Sequence, residues 1–164
     1  MKRLLDLTLV ALAVAIMAVP LVLVALLVLV TSPGPILYWS DRVGQHNKIF
    51  RMPKFRSMRT GTPAVATHLL KNPNTYLTPI GSFLRKTSLD ELPELFNVLK
   101  GDMSLVGPRP LLMQYLARYT PVQARRHEVR PGITGWAQVN GRNAITWEEK
   151  FKLDVWYVDN WSLW

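Results

Sequence analysis

One long apolar stretch near the N-terminus constrains this chain more than anything else in it. Residues 7–30 are apolar except for Thr8 and Pro20, a run of 24 residues. As a straight helix it would extend about 36 Å, enough to cross a bilayer hydrocarbon core of about 30 Å. Lys2 and Arg3 precede it, and Asp41, Arg42, Lys48, Arg51 and Lys54 follow it. The run is longer than the apolar region of a signal peptide, and no small-residue cleavage site follows, so a retained membrane segment is expected. Pro20, near the middle, removes a helix hydrogen bond and kinks the axis. Two topologies fit. A kinked helix could cross the membrane, which the residue pattern by itself favours. A re-entrant helix could enter and leave on one face, which the basic residues on both flanks would suit.

The remaining sequence has room for one domain, at 164 residues in all. Residues 41–164 hold 18 Lys and Arg against 10 Asp and Glu, a net charge of +8. Such a surface beside an apolar anchor suits anionic lipid headgroups, phosphorylated ligands or nucleic acid. The absence of cysteine excludes disulfides and thiolate-bound zinc. His46, His68 and His127 are too widely spaced for a metal pattern. A metal would therefore be a hard cation held by carboxylates and phosphates, Mg²⁺ first among them. Neither a Walker loop, a dinucleotide fingerprint nor an internal repeat is present.

Chemistry concentrates in residues 88–110, SLDELPELFNVLKGDMSLVGPRP. Leu89, Leu92, Leu95, Phe96 and Leu99 recur at helical spacing. Ser88 and Glu91 fit a capping box, although Pro93 sits poorly in a second helical turn, and Asp90 is the alternative cap. Either start puts Asp90 and Glu91 at the positive end of a helix dipole, which favours their ionised forms. As mere caps they would need no further role. Arg109 is fixed between Pro108 and Pro110, a backbone suited to a bidentate phosphate clamp.

Around this centre the chain reads as short elements. Residues 36–39 and 49–52 are strand candidates about a turn at 44–47. Residues 48–59 interleave basic and apolar side chains, among them Lys54 and Arg56. Residues 61–79 form a polar loop, and 80–86 a helical turn carrying Arg85. Helices are expected over 111–119 and over the basic stretch 121–129. Gly132, Gly135 and Gly141 punctuate a loop bearing Gln138, Asn140, Arg142 and Asn143, where glycine permits tight turns. Thr146 and Glu149 form a second capping box, opening a helix that leads to Trp156, Trp161 and Trp164, suited to an interfacial belt.

Residues 88–110 and the stretch RPGITGWAQVNGRN at 130–143 resemble the bacterial sugar transferases, the small monotopic phosphoglycosyl transferases. The resemblance runs from about Lys2 to the end. It implies an α+β, mostly helical, monotopic membrane protein on the cytoplasmic face of the bacterial inner membrane. Residues 1–35 would be a re-entrant membrane helix, and residues 36–164 a catalytic domain with interfacial amphipathic helices. The family breaks its helix at a Ser-Pro pair, and this chain has Val19-Pro20 instead. The resemblance further implies a two-step reaction. Asp90 would attack the β-phosphate of a UDP-sugar and release UMP, and polyprenol phosphate would then take the phosphosugar from the enzyme. Glu91 would serve catalysis as ligand of Mg²⁺. Lys54, Arg56, Arg85, Arg109, Arg130, Gln138, Asn140 and Arg142 would bind substrate. The partners implied are a UDP-sugar (an N-acetylated amino sugar, from the likeness of the second stretch), polyprenol phosphate and membrane lipid, with no nucleic acid. A membrane-tethered module that binds nucleic acid or anionic lipid without catalysis is the alternative. The charge permits it, but it gives no reason for the Asp90-Glu91 pair or for Arg109 between prolines.

Overall fold

A computed structural model describes residues 1–63, 65, 69–141 and 144–162. The apolar stretch forms one helix, α1 (Lys2–Thr31), with Pro20 inside it. A single stripe of this helix is covered by protein. Val10 packs with Phe50, Met52, Leu95, Val98 and Met103, while Val24 and Val28 pack with Phe55 and Leu84. These spacings approximate whole helical turns and so keep the three valines on one side. Other apolar side chains of α1, including Leu12, Ile16 and Leu23, are exposed.

Both ends of α1 are fastened to the same folded body. At the start, Arg3 donates to the carbonyls of Val98 and Leu99 at 2.6 and 2.9 Å. Asp6 accepts from Ser104 Oγ at 2.8 Å, and Lys2 bonds the same hydroxyl. At the far end, Arg56 donates to the carbonyls of Ser32 and Pro33 at 2.6 and 2.5 Å. The Ser32 carbonyl belongs to the C-cap, where a helix leaves carbonyls without intrahelical partners, and Pro33 follows it.

The expected strands are present and longer: β1 (Leu37–Val43) pairs antiparallel with β2 (Ile49–Phe55), Leu37 opposite Phe55 and Val43 opposite Ile49. Among the described residues β2 pairs with no strand but β1, which is why Pro53 is tolerated inside it. Helix α2 (Gly81–Thr87) ends at Ser88, whose φ of 58° is left-handed. A capping residue needs extended backbone, so the Ser88–Glu91 capping box does not form. Residues Leu89–Glu94 instead make a 3-10 turn with Pro93 inside, and α3 (Leu95–Lys100) begins beyond it. The proline splits what the apolar spacing suggested as one helix.

A parallel pair of three-residue strands follows, β3 (Ser104–Val106) with β4 (Gly132–Thr134). Backbones touch there: a Cβ on Gly132 would lie 2.1 Å from the Gly107 nitrogen, and one on Gly135 would lie 2.2 Å from the Gly107 carbonyl oxygen. Close approach rather than turning explains these two glycines. The helices expected over 111–119 and 121–129 are reduced to a 3-10 stretch (Met113–Arg118), the single turn α4 (Pro121–Ala124) and a 3-10 turn (Arg125–His127). Arg126 and His127, part of the expected basic helix, are buried. The short α5 (Trp136–Val139) packs against α6 (Trp147–Asn160), and Trp136 stacks on Trp156 with ring centres 4.9 Å apart. The Thr146–Glu149 capping box forms as expected. The fold is thus a mixture of helix and strand in which helix dominates.

Candidate active site

Three separate parts of the chain deliver charged side chains to one place. Strand β2 carries Lys54 near its end, the Pro93-containing turn carries Asp90, Glu91 and Glu94, and the loop after β3 carries Arg109. Lys54 Nζ lies 2.7 Å from Glu91 Oε1 and 3.1 Å from Glu94 Oε1. Arg109 grips Glu91 in a fork, with Nη1 3.2 Å from Oε2 and Nη2 on Oε1. Glu91 thus has both oxygens committed to cations.

The electrostatics separate the acids. Burial alone would raise the Glu91 carboxyl, but the hydrogen bonds and charges of Arg109 and Lys54 outweigh it and hold it at about 2. Asp90 is buried, and that burial pushes its carboxyl up from the ordinary value against the pull of Lys54 and Arg85. Burial likewise raises Glu94. The expectation that a helix dipole keeps Asp90 ionised therefore needs correction. The element is a 3-10 turn of six residues, and desolvation is the larger influence. Among the described residues Asp90 is in no ion pair, so of the three carboxylates it is the one no cation grips.

Lys54, Asp90, Glu91 and Arg109 therefore lie together, and Arg85 acts on Asp90 through its charge. Arg56 does not join them. Its buried guanidinium is spent on the end of α1, because β2 stops at Phe55 and the alternation that would align Arg56 with Lys54 stops with it. Arg130 is exposed, and the Asn140 side chain donates to the Trp136 carbonyl at 2.9 Å. Among the described residues the Gln138 amide is buried without a partner, beside Gly135. Arg142 and Asn143 lie outside the described residues.

Two participants escaped the sequence reading. Glu94 stands three residues after Glu91 and four after Asp90, a spacing that shares one helical face and could have been noticed. Arg42, from β1, approaches the Pro110 carbonyl, and burial together with the charge of Arg109 lowers its pKa. Nothing near Arg42 in sequence signals that role.

A family model described as bacterial sugar transferase matches residues 1–164. The uncharacterized sugar transferase EpsL of Bacillus subtilis is 54% identical over 162 residues, covering 99% of this chain and 79% of that protein. An undecaprenyl-phosphate galactose phosphotransferase of Salmonella typhimurium is 41% identical over the whole chain, which spans 37% of its length. A UDP-N-acetylgalactosamine-undecaprenyl-phosphate N-acetylgalactosaminephosphotransferase of Aeromonas hydrophila is 39% identical over 99% of the chain, which spans 40% of its length. The likeness to these two longer relatives thus covers well under half of each.

Proposed function

The chain belongs to the bacterial sugar transferase family, and from that premise we propose that it moves a sugar 1-phosphate from a UDP-sugar to polyprenol phosphate, releasing UMP. One observation carries the reading. Arg109 and Lys54 converge on Glu91 immediately beside Asp90, which among the described residues is in no ion pair. That arrangement offers two phosphate-binding cations next to a poorly hydrated nucleophile, whose oxygens need shed little water to react.

In the first step an Asp90 oxygen attacks the β-phosphorus of the UDP-sugar. The bond from that phosphorus to the bridging oxygen breaks, and UMP leaves with the electron pair. An aspartyl phosphosugar remains. In the second step an oxygen of polyprenol phosphate attacks the same phosphorus, and the Asp90 carboxylate is released. No general base is required, because a phosphate monoester is already anionic at neutral pH. The donor's diphosphate competes with Glu91 for Arg109 and Lys54, so those cations transfer from a side chain to the substrate. Among the described residues no three acidic or histidine side chains form a metal-binding group. A cation here would rest on one or two carboxylates and the diphosphate, which is how Mg²⁺ is commonly held. Glu91 would hold it once its cations have moved, and Mg²⁺ would supply charge neutralisation at the diphosphate.

We place the enzyme on the cytoplasmic face of the bacterial inner membrane, with α1 entering and leaving on that face. The support is that one body binds both ends of α1. The exposed Trp136, Trp156 and Trp161 would rest at the headgroup level. For the donor we favour an N-acetylated amino sugar, supported by residues 130–143 and by the substrate for which the Aeromonas relative is named.

The test is a screen of UDP-sugars for UMP release, first without acceptor. One donor should release about one UMP per enzyme and leave a phosphosugar on the peptide containing Asp90. Asp90→Asn should abolish both. UMP that appears only with acceptor present, and no adduct by intact-protein mass spectrometry, would favour direct displacement instead.

A further inference from the structure

Arg126 is among the most buried charges in the molecule. Its side chain is 2% exposed and that of its partner Asp154, from α6, is 5% exposed. Nε and Nη2 of Arg126 lie 3.0 and 2.8 Å from Asp154 Oδ2. The same Nη2 donates to the backbone carbonyl of Arg109 at 2.7 Å, and Nη1 to the Tyr119 hydroxyl at 3.2 Å. The rings of Tyr119 and Phe151 flank the guanidinium at 5.8 and 5.7 Å.

A buried ion pair is poor evidence for stability, since apolar residues of similar volume often serve a core as well. What apolar residues cannot do is hold a backbone carbonyl. A second tie runs from the same helix: Tyr157, three residues after Asp154, donates its hydroxyl to the Val106 carbonyl at 2.8 Å. Between these ties the Gly107 N–H donates to Thr134 at 2.9 Å, and the Pro108 carbonyl accepts from the Gly132 N–H at 3.0 Å. Every residue from Val106 to Arg109 is thereby held by its main chain, leaving the Arg109 side chain as the part that can respond to a ligand.

We infer that Arg126, itself fixed by Asp154, is a positioning residue that aims the Arg109 guanidinium at the donor's diphosphate, with Tyr157 fixing the other end of the same loop. This deepens the transferase reading and rests on it. A clamp that drifts by a fraction of an ångström binds the donor less well, whereas the acceptor is not its ligand.

The experiment measures KM for donor and acceptor separately, with kcat, in the full chain. Arg126→Lys keeps a charge beside Asp154 but lacks the fork that reaches three acceptors at once. It should raise donor KM about tenfold and leave acceptor KM unchanged. Arg109→Lys should also raise donor KM, and adding Arg126→Lys to it should raise it little further, because both act through one group. Tyr157→Phe, which removes a single oxygen and leaves the ion pair intact, should raise donor KM about threefold. A merely structural role would lower kcat through loss of folded enzyme and leave donor KM alone in Arg126→Lys and Tyr157→Phe. That result, or effects of Arg109→Lys and Arg126→Lys that multiply in full, would overturn the inference. If the wild type itself releases no UMP from any donor, the transferase reading fails first.

Discussion

Glu91 and Arg109, 18 residues apart in sequence, meet through a forked pair of hydrogen bonds, with Arg109 Nη1 3.2 Å from Glu91 Oε2 and Nη2 on Oε1. The fork neutralises the arginine and aims it while no phosphate is bound. Glu91→Gln keeps the shape and removes the charge. It is expected to lower donor-only UMP release by roughly 10²-fold, as loss of a charge-aligned group does in other active sites. Single-turnover kinetics with a saturating donor checks this.

The same fork sets a pH dependence. The Glu91 carboxyl falls from an ordinary 4.5 to about 2 in the folded chain. Its contribution to stability is therefore complete above about 4.5 and is lost as the pH falls toward 2. Asp90 and Glu94 act in the opposite direction, since their raised values mean that protonation relieves a burial penalty. Denaturant unfolding in detergent between pH 5 and 2 (about the window set by linkage) should show a shallower loss in Glu91→Gln than in the wild type.

Lys54 serves two acids, one of them Glu94, whose side chain is 2% exposed. Lys54→Met strands a buried carboxyl and should cost about 3 kcal/mol of stability. Adding Glu94→Gln should recover much of that loss while activity stays low, because the phosphate cation remains absent. Paired melting and activity measurements on the double variant separate the two outcomes.

Removing divalent cations with EDTA should lower donor-only UMP release by at least about tenfold, and Mg²⁺ should restore it. Glu91→Gln should flatten the response to added Mg²⁺. Titration of the burst amplitude against Mg²⁺ provides the measurement.

The chain has no cysteine, so introduced thiols report without background. A cysteine inserted between Met1 and Lys2 and another at the exposed Lys48 should both label only after cells are opened. Labelling of one of them in intact cells would mean that α1 crosses the membrane.

Residues 88–110 could be recognised in the sequence because the acids, Pro93 and Arg109 lie within one contiguous run. Lys54 was legible only by resemblance, and Arg56 shows the limit: a triplet does not reveal where a strand ends. The dipole argument for Asp90 failed because it supposed a regular helix, whereas Pro93 and the left-handed Ser88 leave a short turn pressed into the protein. Strands β3 and β4 have three residues each, too few for alternation to register. The pairing of Arg126 with Asp154 spans 28 residues and depends on how α6 lies across the 3-10 turn, which local pattern does not encode.

Helix α1 supplies Val10 to one core and Val24 and Val28 to the other. Neither core has its full wall until that helix is in place, and α1 precedes in the sequence every segment that packs against it. Assembly therefore follows the order of these segments: α1 comes first, and the later segments fold against it as a template. A form trimmed of α1 would then be an incompletely folded protein rather than a soluble version of the enzyme, and a foreign membrane anchor would restore attachment without restoring the fold.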